Sequence, residues 1–327
     1  MILVTGSAGF IGFHLVKRLL NIGNTVLGLD NLNDYYDVKL KKDRLKKLGI
    51  NVNLKDIDYS NNSFSFIIGD LSDQIIWKKI NKFNITAVIH LAAQAGVRYS
   101  LIKPFEYISS NIVGFQNVLE YCDNNKIDNL IYASSSSVYG KSKNIPFTES
   151  DQCVNPESLY AATKRSNELF ADVFYKTKGL SSIGLRFFTV YGPWGRPDMA
   201  PFLFTKSALK KEKIKVFNHG DQKRDFTYID DIVDGIVQVF NSKDKITGSE
   251  IFNIGRGKPV NLMDFINIIE KNLNIEIKKE MMEAQIGDVE LTYSSTKKLN
   301  LFTGYNPKIS LEEGINKFIK WYLDYYN

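Results

Sequence analysis

The chain has 327 residues, 44% hydrophobic and 24% charged, with a formal net charge of +6. That balance is ordinary for a globular protein and the length allows a large core, as one domain or two lobes. Two cysteines, Cys122 and Cys153, exclude a disulfide framework, and no run reaches the roughly 18 apolar residues of a membrane span. In chain order, Ile2–Val4 reads as a buried strand that breaks into Gly6, Gly9 and Gly12. A helix follows, carried by Phe13, Leu15, Val16, Leu19 and Leu20, then a second strand, Thr25–Leu29, ending in Asp30. A glycine turn between strand and helix lets backbone amides approach a pyrophosphate at the positive end of the helix. Asp30, placed after the second strand, suits the hydroxyl pair of an adenosine ribose and disfavours a 2′-phosphate, so NAD is expected over NADP.

Further strands are expected at Ser65–Ile68, Ala87–His90, Leu130–Ala133 and Ser182–Phe187, with helices between them, including Asn111–Asn124 and Tyr160–Lys176. This alternation predicts an α/β fold, a Rossmann-type doubly wound parallel sheet. Beyond Thr189 the chain reads as loops, a helix (Phe202–Lys211) and a short strand (Lys215–Asn218). Ile251–Ile254 follows as one more sheet strand, and then a mostly helical end with one strand-like run, Ile275–Lys279. Residues 1–180 are expected to form the cofactor lobe. Residues 181–327 mainly form a smaller, partly interleaved C-terminal substrate lobe, with strands near 183–187 and 251–254 returning to the sheet. Asp230 and Asp231 are expected to cap a helix from Ile232.

The lysines and arginines at 39–47 and 210–215 offer attraction for an anionic substrate or, more simply, solvated helix faces. No nucleic-acid motif accompanies them, and His14, His90 and His219 lack metal-ligand spacing, so no metal is expected. The chain enters a strand at once, so no signal peptide is expected, and the protein is read as cytoplasmic.

Tyr160-Ala-Ala-Thr-Lys164 sets a phenol and an ammonium four residues apart on one helix face. A neighbouring cation stabilises phenolate, which predicts a Tyr160 pKa lowered towards neutrality and a general base for a sugar hydroxyl. The spacing also occurs at Tyr35 and Lys39 and at Tyr139 and Lys143. Tyr160 is singled out because its helix follows the serine-rich strand end Ser134–Ser137.

These motifs, with Asp70 in Gly-Asp-Leu, His90-Leu-Ala-Ala, Ser-Ser-Ser-Val-Tyr-Gly140 and Arg224-Asp-Phe, resemble those of the extended short-chain dehydrogenases/reductases. The resemblance runs nearly end to end and implies a catalytic set of Ser135, Tyr160 and Lys164, the last also holding the nicotinamide ribose. It implies cofactor contacts from Gly6, Gly9, Phe10, Ile11, Gly12, Asp30, Asn31, Asp70, Leu71, Ala92, Ala93 and Asn111. Members that retain NAD and act on nucleotide sugars include 4-epimerases, 4,6-dehydratases and decarboxylases. Dehydratases carry Asp-Glu, and related decarboxylases a Glu, where this chain has Ser136 and Ser137, which favours epimerisation.

The runs Ala-Ala-Gln-Ala-Gly-Val-Arg98 and Arg186-Phe-Phe-Thr189 through Gly-Arg196-Pro-Asp-Met are similar to those of UDP-glucuronate 4-epimerases. That similarity implies a UDP-sugar substrate whose carboxylate is held by Arg196 and Thr189, helped by Ser136 and Ser137. Arg224 is expected at the diphosphate and Asn218 and Asp288 near the nucleoside. Arg98 is expected at the sugar, the phosphates or solvent. Neutral UDP-glucose or UDP-N-acetylglucosamine 4-epimerisation, decarboxylation, and a non-enzymatic NAD-bound sensor are the alternatives. A homodimer through two helices is implied, with Leu119, Leu169, Phe170 and Phe174 serving that interface or the core.

Overall fold

A computed structural model describes residues 1–52, 58–128, 130–284 and 289–326. Its frame is an eight-stranded sheet of β1 (Ile2–Thr5), β2 (Val26–Asp30), β3 (Asp58–Ser60), β4 (Phe64–Ile68), β5 (Ala87–His90), β6 (Leu130–Ser135), β7 (Ser182–Phe187) and a late strand, Ser249–Ile254. From edge to edge the order is Ser249–Ile254, β7, β6, β5, β1, β2, β4, β3. All neighbours run parallel except β3, which pairs antiparallel with β4 at the edge.

The central strands are mostly apolar because both faces are covered. Val4, Val26, Phe64, Ile89, Ile131 and Leu185 point into one core, and Leu3, Leu27, Ile67, Val88, Leu130 and Tyr132 into the other. Each fully buried Leu, Ile or Val contributes on the order of 1.5–3 kcal/mol. Strand order reverses between β1 and β5, so their carboxyl ends open a crevice, the usual ligand position of such sheets.

The helix Leu159–Lys178 starts where Ser158 Oγ accepts the Ala161 amide at 3.1 Å and stops at Gly179, whose φ is 78°. The helix expected over Asn111–Asn124 divides in two: Ile108–Val113 winds as one wide π turn, and regular α structure begins at Gly114. The wide turn carries Asn111 inward, where it is fully buried.

Three expectations are corrected. The strand read at Ile275–Lys279 forms instead at Lys279–Met281, parallel to Ile214–Val216. Glu270 Oε1 takes the Ile277 amide at 2.7 Å and so removes that donor from a ladder. The helix read from Ile232 begins at Ile229, and Asp231 does not cap it. Its carboxylate accepts the amides of Lys308 and Ile309 at 2.9 and 3.0 Å, pinning the approach to the last helix, Leu311–Tyr326. Finally, the basic run at 39–47 is not simply a solvated face. It forms the helix Val38–Lys47, and Lys41 and Arg44 are buried. Among the described residues no helix is long and apolar enough to cross a membrane.

Candidate active site

The crevice is one continuous cleft of about 1150 Å³ above the strand ends, roomy beside the ~300–1,000 Å³ of a single small-molecule site. The glycine turn forms its floor. Gly6 has φ 71°, and a side chain there would press on the Ala92 backbone. A Cβ on Gly12 would lie 2.0 Å from the Gly6 carbonyl oxygen. The helix Phe10–Asn21 begins at Gly9 without a side-chain cap, so its first amides offer their positive end to the cleft.

Asp30, at the end of β2, accepts from the amides of Ala8 (3.2 Å) and Leu32 (2.9 Å) while lining the cleft. Asn31 donates to Asp70 at 2.8 Å. Burial works against the Asp70 charge, but hydrogen bonds from Ser72 and Asn31 outweigh it and keep the carboxyl ionised below its usual range. Phe10, Ile11, Leu71, Ala92 and Ala93 also line this half. Asn111 stands behind it. Its side chain exchanges bonds with the Gln94 backbone at 2.8 and 3.0 Å and donates to Thr163 Oγ1 at 3.1 Å, tying the β5 loop to the Leu159–Lys178 helix.

Ser135 ends β6, and Ser136 and Ser137 open a short 3₁₀ turn beside it. Ser135 Oγ accepts the Ser137 amide and donates to Ser137 Oγ, both at 3.2 Å. Tyr160 and Lys164 project from the first turns of the following helix into the same space. The expected lowering of the Tyr160 pKa by Lys164 is corrected. Burial raises it, opposed by a hydrogen bond from Ser135 and by the Arg196 charge. Lys164 Nζ donates to the Ala133 carbonyl at 2.8 Å, and burial lowers its pKa to about 8 against the pull of Glu168.

The wall behind this set is a buried ion pair. Glu168 receives Arg186 through Nε and Nη2 at 2.8 and 2.9 Å, Arg165 at 2.9 Å and Ser134 Oγ at 2.6 Å. The first serine of the run, Ser134, therefore spends its hydroxyl on holding β6 against the helix.

On the opposite wall stand Thr189, Arg98, Arg196 and Arg224. Arg224 donates to the carbonyls of Lys223 and Glu290 at 3.1 Å and to Gln222 Oε1 at 3.2 Å. The Arg98 guanidinium lies 4.9 Å over the Phe217 ring. Arg196 donates from Nε to Asp198 Oδ1 at 3.0 Å and from Nη2 to Asp198 Oδ2. Asn218 is brought to a turn outside this lining, with φ 50° and its amide on the Asp221 carbonyl at 2.8 Å. Asp288 lies outside the described residues.

Residues to which the sequence reading gave no site role also meet here: Tyr35, Tyr36, Lys41, Gln94 and Asp198 line the cleft. Arg44 supports them from below, donating to the Ala8 carbonyl (2.8 Å), Tyr36 Oη (2.7 Å) and the Trp194 carbonyl (2.6 Å). The signal for Arg44 was present: Leu40, Leu45 and Leu48 give the basic run one apolar face, and Arg44 falls on it.

A family model described as the NAD dependent epimerase/dehydratase family matches residues 2–255. Protein CapI of Staphylococcus aureus is 46% identical over 99% of both chains. UDP-glucuronate 4-epimerase 4 of Arabidopsis thaliana is 44% identical, over 100% of this chain and 76% of its own length. Among solved structures, UDP-glucuronic acid 4-epimerase from Bacillus cereus, in complex with UDP-glucuronic acid and NAD, superposes with a TM-score of 0.90. It is 34% identical, over 99% of each chain.

Proposed function

This chain belongs to the NAD-dependent epimerase/dehydratase family, and we propose that it interconverts UDP-glucuronate and UDP-galacturonate through a transient 4-keto sugar, with NAD retained. The observation that carries this reading is one cleft joining the glycine turn, the Ser135–Tyr160–Lys164 set and Arg196. The residues suit NAD. The Gly6–Gly12 turn leaves room for a close backbone approach, the first amides of Phe10–Asn21 would hold the pyrophosphate, and Asp30 would hold the adenosine ribose. NAD supplies a hydride acceptor and donor.

Tyr160 takes the proton of the 4′-hydroxyl as C4 is oxidised and returns it when C4 is reduced from the other face. Ser135 bridges the phenol and the sugar oxygen. The Ser135 hydrogen bond and the Arg196 charge oppose the burial that raises the Tyr160 pKa, and Lys164 serves the nicotinamide ribose. Arg196, Thr189, Ser136 and Ser137 hold the sugar's carboxylate, so that the β-keto acid turns without losing CO₂. Arg224 serves the diphosphate. Residues 1–180 act mainly as the cofactor lobe and the remainder as the substrate lobe.

A neutral UDP-hexose is the second reading, and the Arg196–Asp198 pair favours it, because that guanidinium already has a carboxylate partner. NMR of purified protein with UDP-glucuronate, without added NAD, separates the two. UDP-galacturonate signals are expected. Turnover of UDP-glucose or UDP-N-acetylglucosamine alone would overturn the uronate assignment, and a strict need for added NAD would overturn retention.

The reading includes a cytoplasmic homodimer. Leu119 is buried in the core, while Ile108, Val113, Leu169 and Val173 are exposed on the two helical segments that carry Asn111 and Tyr160. Light scattering is expected to give twice the chain mass.

A further inference from the structure

Arg196 does not enter the cleft as an isolated cation. Its two bonds to Asp198 use Nε and Nη2, the side edge of the guanidinium. The end edge, made by Nη1 and the second N–H of Nη2, takes no part in them. A guanidinium has five N–H donors in a fixed plane, so a carboxylate on the side edge leaves the geometry for a second on the end edge. Asp198 is itself held. Tyr35 Oη donates to Asp198 Oδ2 at 2.9 Å, the Tyr35 ring lies 5.7 Å from the Arg196 guanidinium, and it packs against Tyr99 with ring centroids 4.7 Å apart. The loop backbone is fixed too, by Arg44 on the Trp194 and Gly195 carbonyls at 2.6 and 3.3 Å. Arg196, Asp198 and Tyr35 line the cleft with Thr189.

We propose that Asp198, steadied by Tyr35, is a positioning residue that grips the side edge of Arg196 and presents its end edge to the carboxylate of a uronate. This rests on the uronate reading above. It accounts for an acid standing next to a site meant for an acid. A lone long-chain arginine would lose rotamer freedom each time it closed on the substrate, whereas a pre-oriented one loses little. It also turns the pair that favours a neutral sugar into part of carboxylate recognition.

The test compares binding of UDP-glucuronate and UDP-glucose by titration calorimetry, using NAD-loaded protein and its Asp198→Asn, Asp198→Glu, Tyr35→Phe and Arg196→Lys variants. Asp198→Asn is expected to weaken UDP-glucuronate about tenfold, equal to about 1.4 kcal/mol, and UDP-glucose less than twofold. Tyr35→Phe is expected to lose about threefold on the uronate alone, and Asp198→Glu to restore part of the loss. Tighter uronate binding by Asp198→Asn would make Asp198 a competitor for the fork and overturn the proposal. So would an equal loss for both ligands, which marks a purely structural role, or no change in both Asp198→Asn and Tyr35→Phe. If Arg196→Lys weakens the two ligands equally, the uronate reading itself fails. If only the uronate suffers there while Asp198→Asn is silent, that reading stands and this proposal falls.

Discussion

Replacing Glu168 by Gln keeps the shape of the wall behind Ser135 and removes its charge. Glu168 and Arg186 are 1% and 2% exposed at their side chains, and the carboxylate receives two groups besides Arg186: Arg165 and Ser134. With glutamine, at least one Arg186 N–H faces an amide N–H, and a buried guanidinium whose Nη1 has no hydrogen-bond acceptor among the described residues loses its counter-charge. Breaking one member of a buried pair costs about 3–5 kcal/mol. At roughly 2 °C per kcal/mol for a chain of this size, Tm should fall on the order of 6–10 °C. Thermal and urea unfolding of both proteins measure it. The pH dependence gives a second check. Burial opposes the Glu168 charge, but Arg186, Ser134 and Arg165 outweigh it and keep its folded pKa below the usual carboxylate value. Its contribution is therefore present above the unfolded pKa, about 4.3, and is lost as pH falls through the lower folded value. The gap between wild type and variant should be full at neutral pH and narrow in acid. A gap under about 1 kcal/mol, or one unchanged down to pH 3, would refute this account of the wall.

Three further outcomes are expected. Tyr160→Phe should abolish turnover while leaving NAD bound, read by activity and by extraction of the cofactor; activity near wild type would remove Tyr160 from catalysis. Gly12→Ala places a methyl 2.0 Å from the Gly6 carbonyl oxygen, so the purified variant should contain little NAD and unfold at lower temperature. Burial raises the thiol pKa of both cysteines, to about 11 for Cys153 and further for Cys122, so a thiol reagent at pH 8 should react slowly with native protein and fully once it is unfolded.

The sheet was legible because its strands are short apolar runs that end in chemically distinctive residues: Ile2–Thr5 before Gly6, Val26–Asp30 at its acid, Leu130–Ser135 at its serines. Local pattern carries such features. Tyr160 and Lys164 were readable together because their spacing puts them on one helix face, whereas Ser135, at the end of the preceding strand, was joined to them by the family resemblance. What escaped depends on distant pairing. Nothing near Asp231 says that its carboxylate will hold the amides of Lys308 and Ile309. Arg44 meets Trp194, 150 residues away, and Tyr35 meets Asp198 across the cleft. The Tyr160 pKa was misjudged because spacing reports proximity but not burial, and burial has the larger effect.

The return of Ser182–Phe187 and Ser249–Ile254 to the sheet bears on how this protein can be taken apart. A fragment ending near residue 180 would retain the glycine turn and Tyr160, yet it would lack two parallel strands. It would expose the flank of Leu130–Ser135 and leave Glu168 without Arg186. The segments proposed to select the sugar are therefore not a detachable cassette. They are threaded between strands that complete the sheet, so exchanging loops such as 192–198 between relatives calls for grafting them into an intact sheet rather than joining halves.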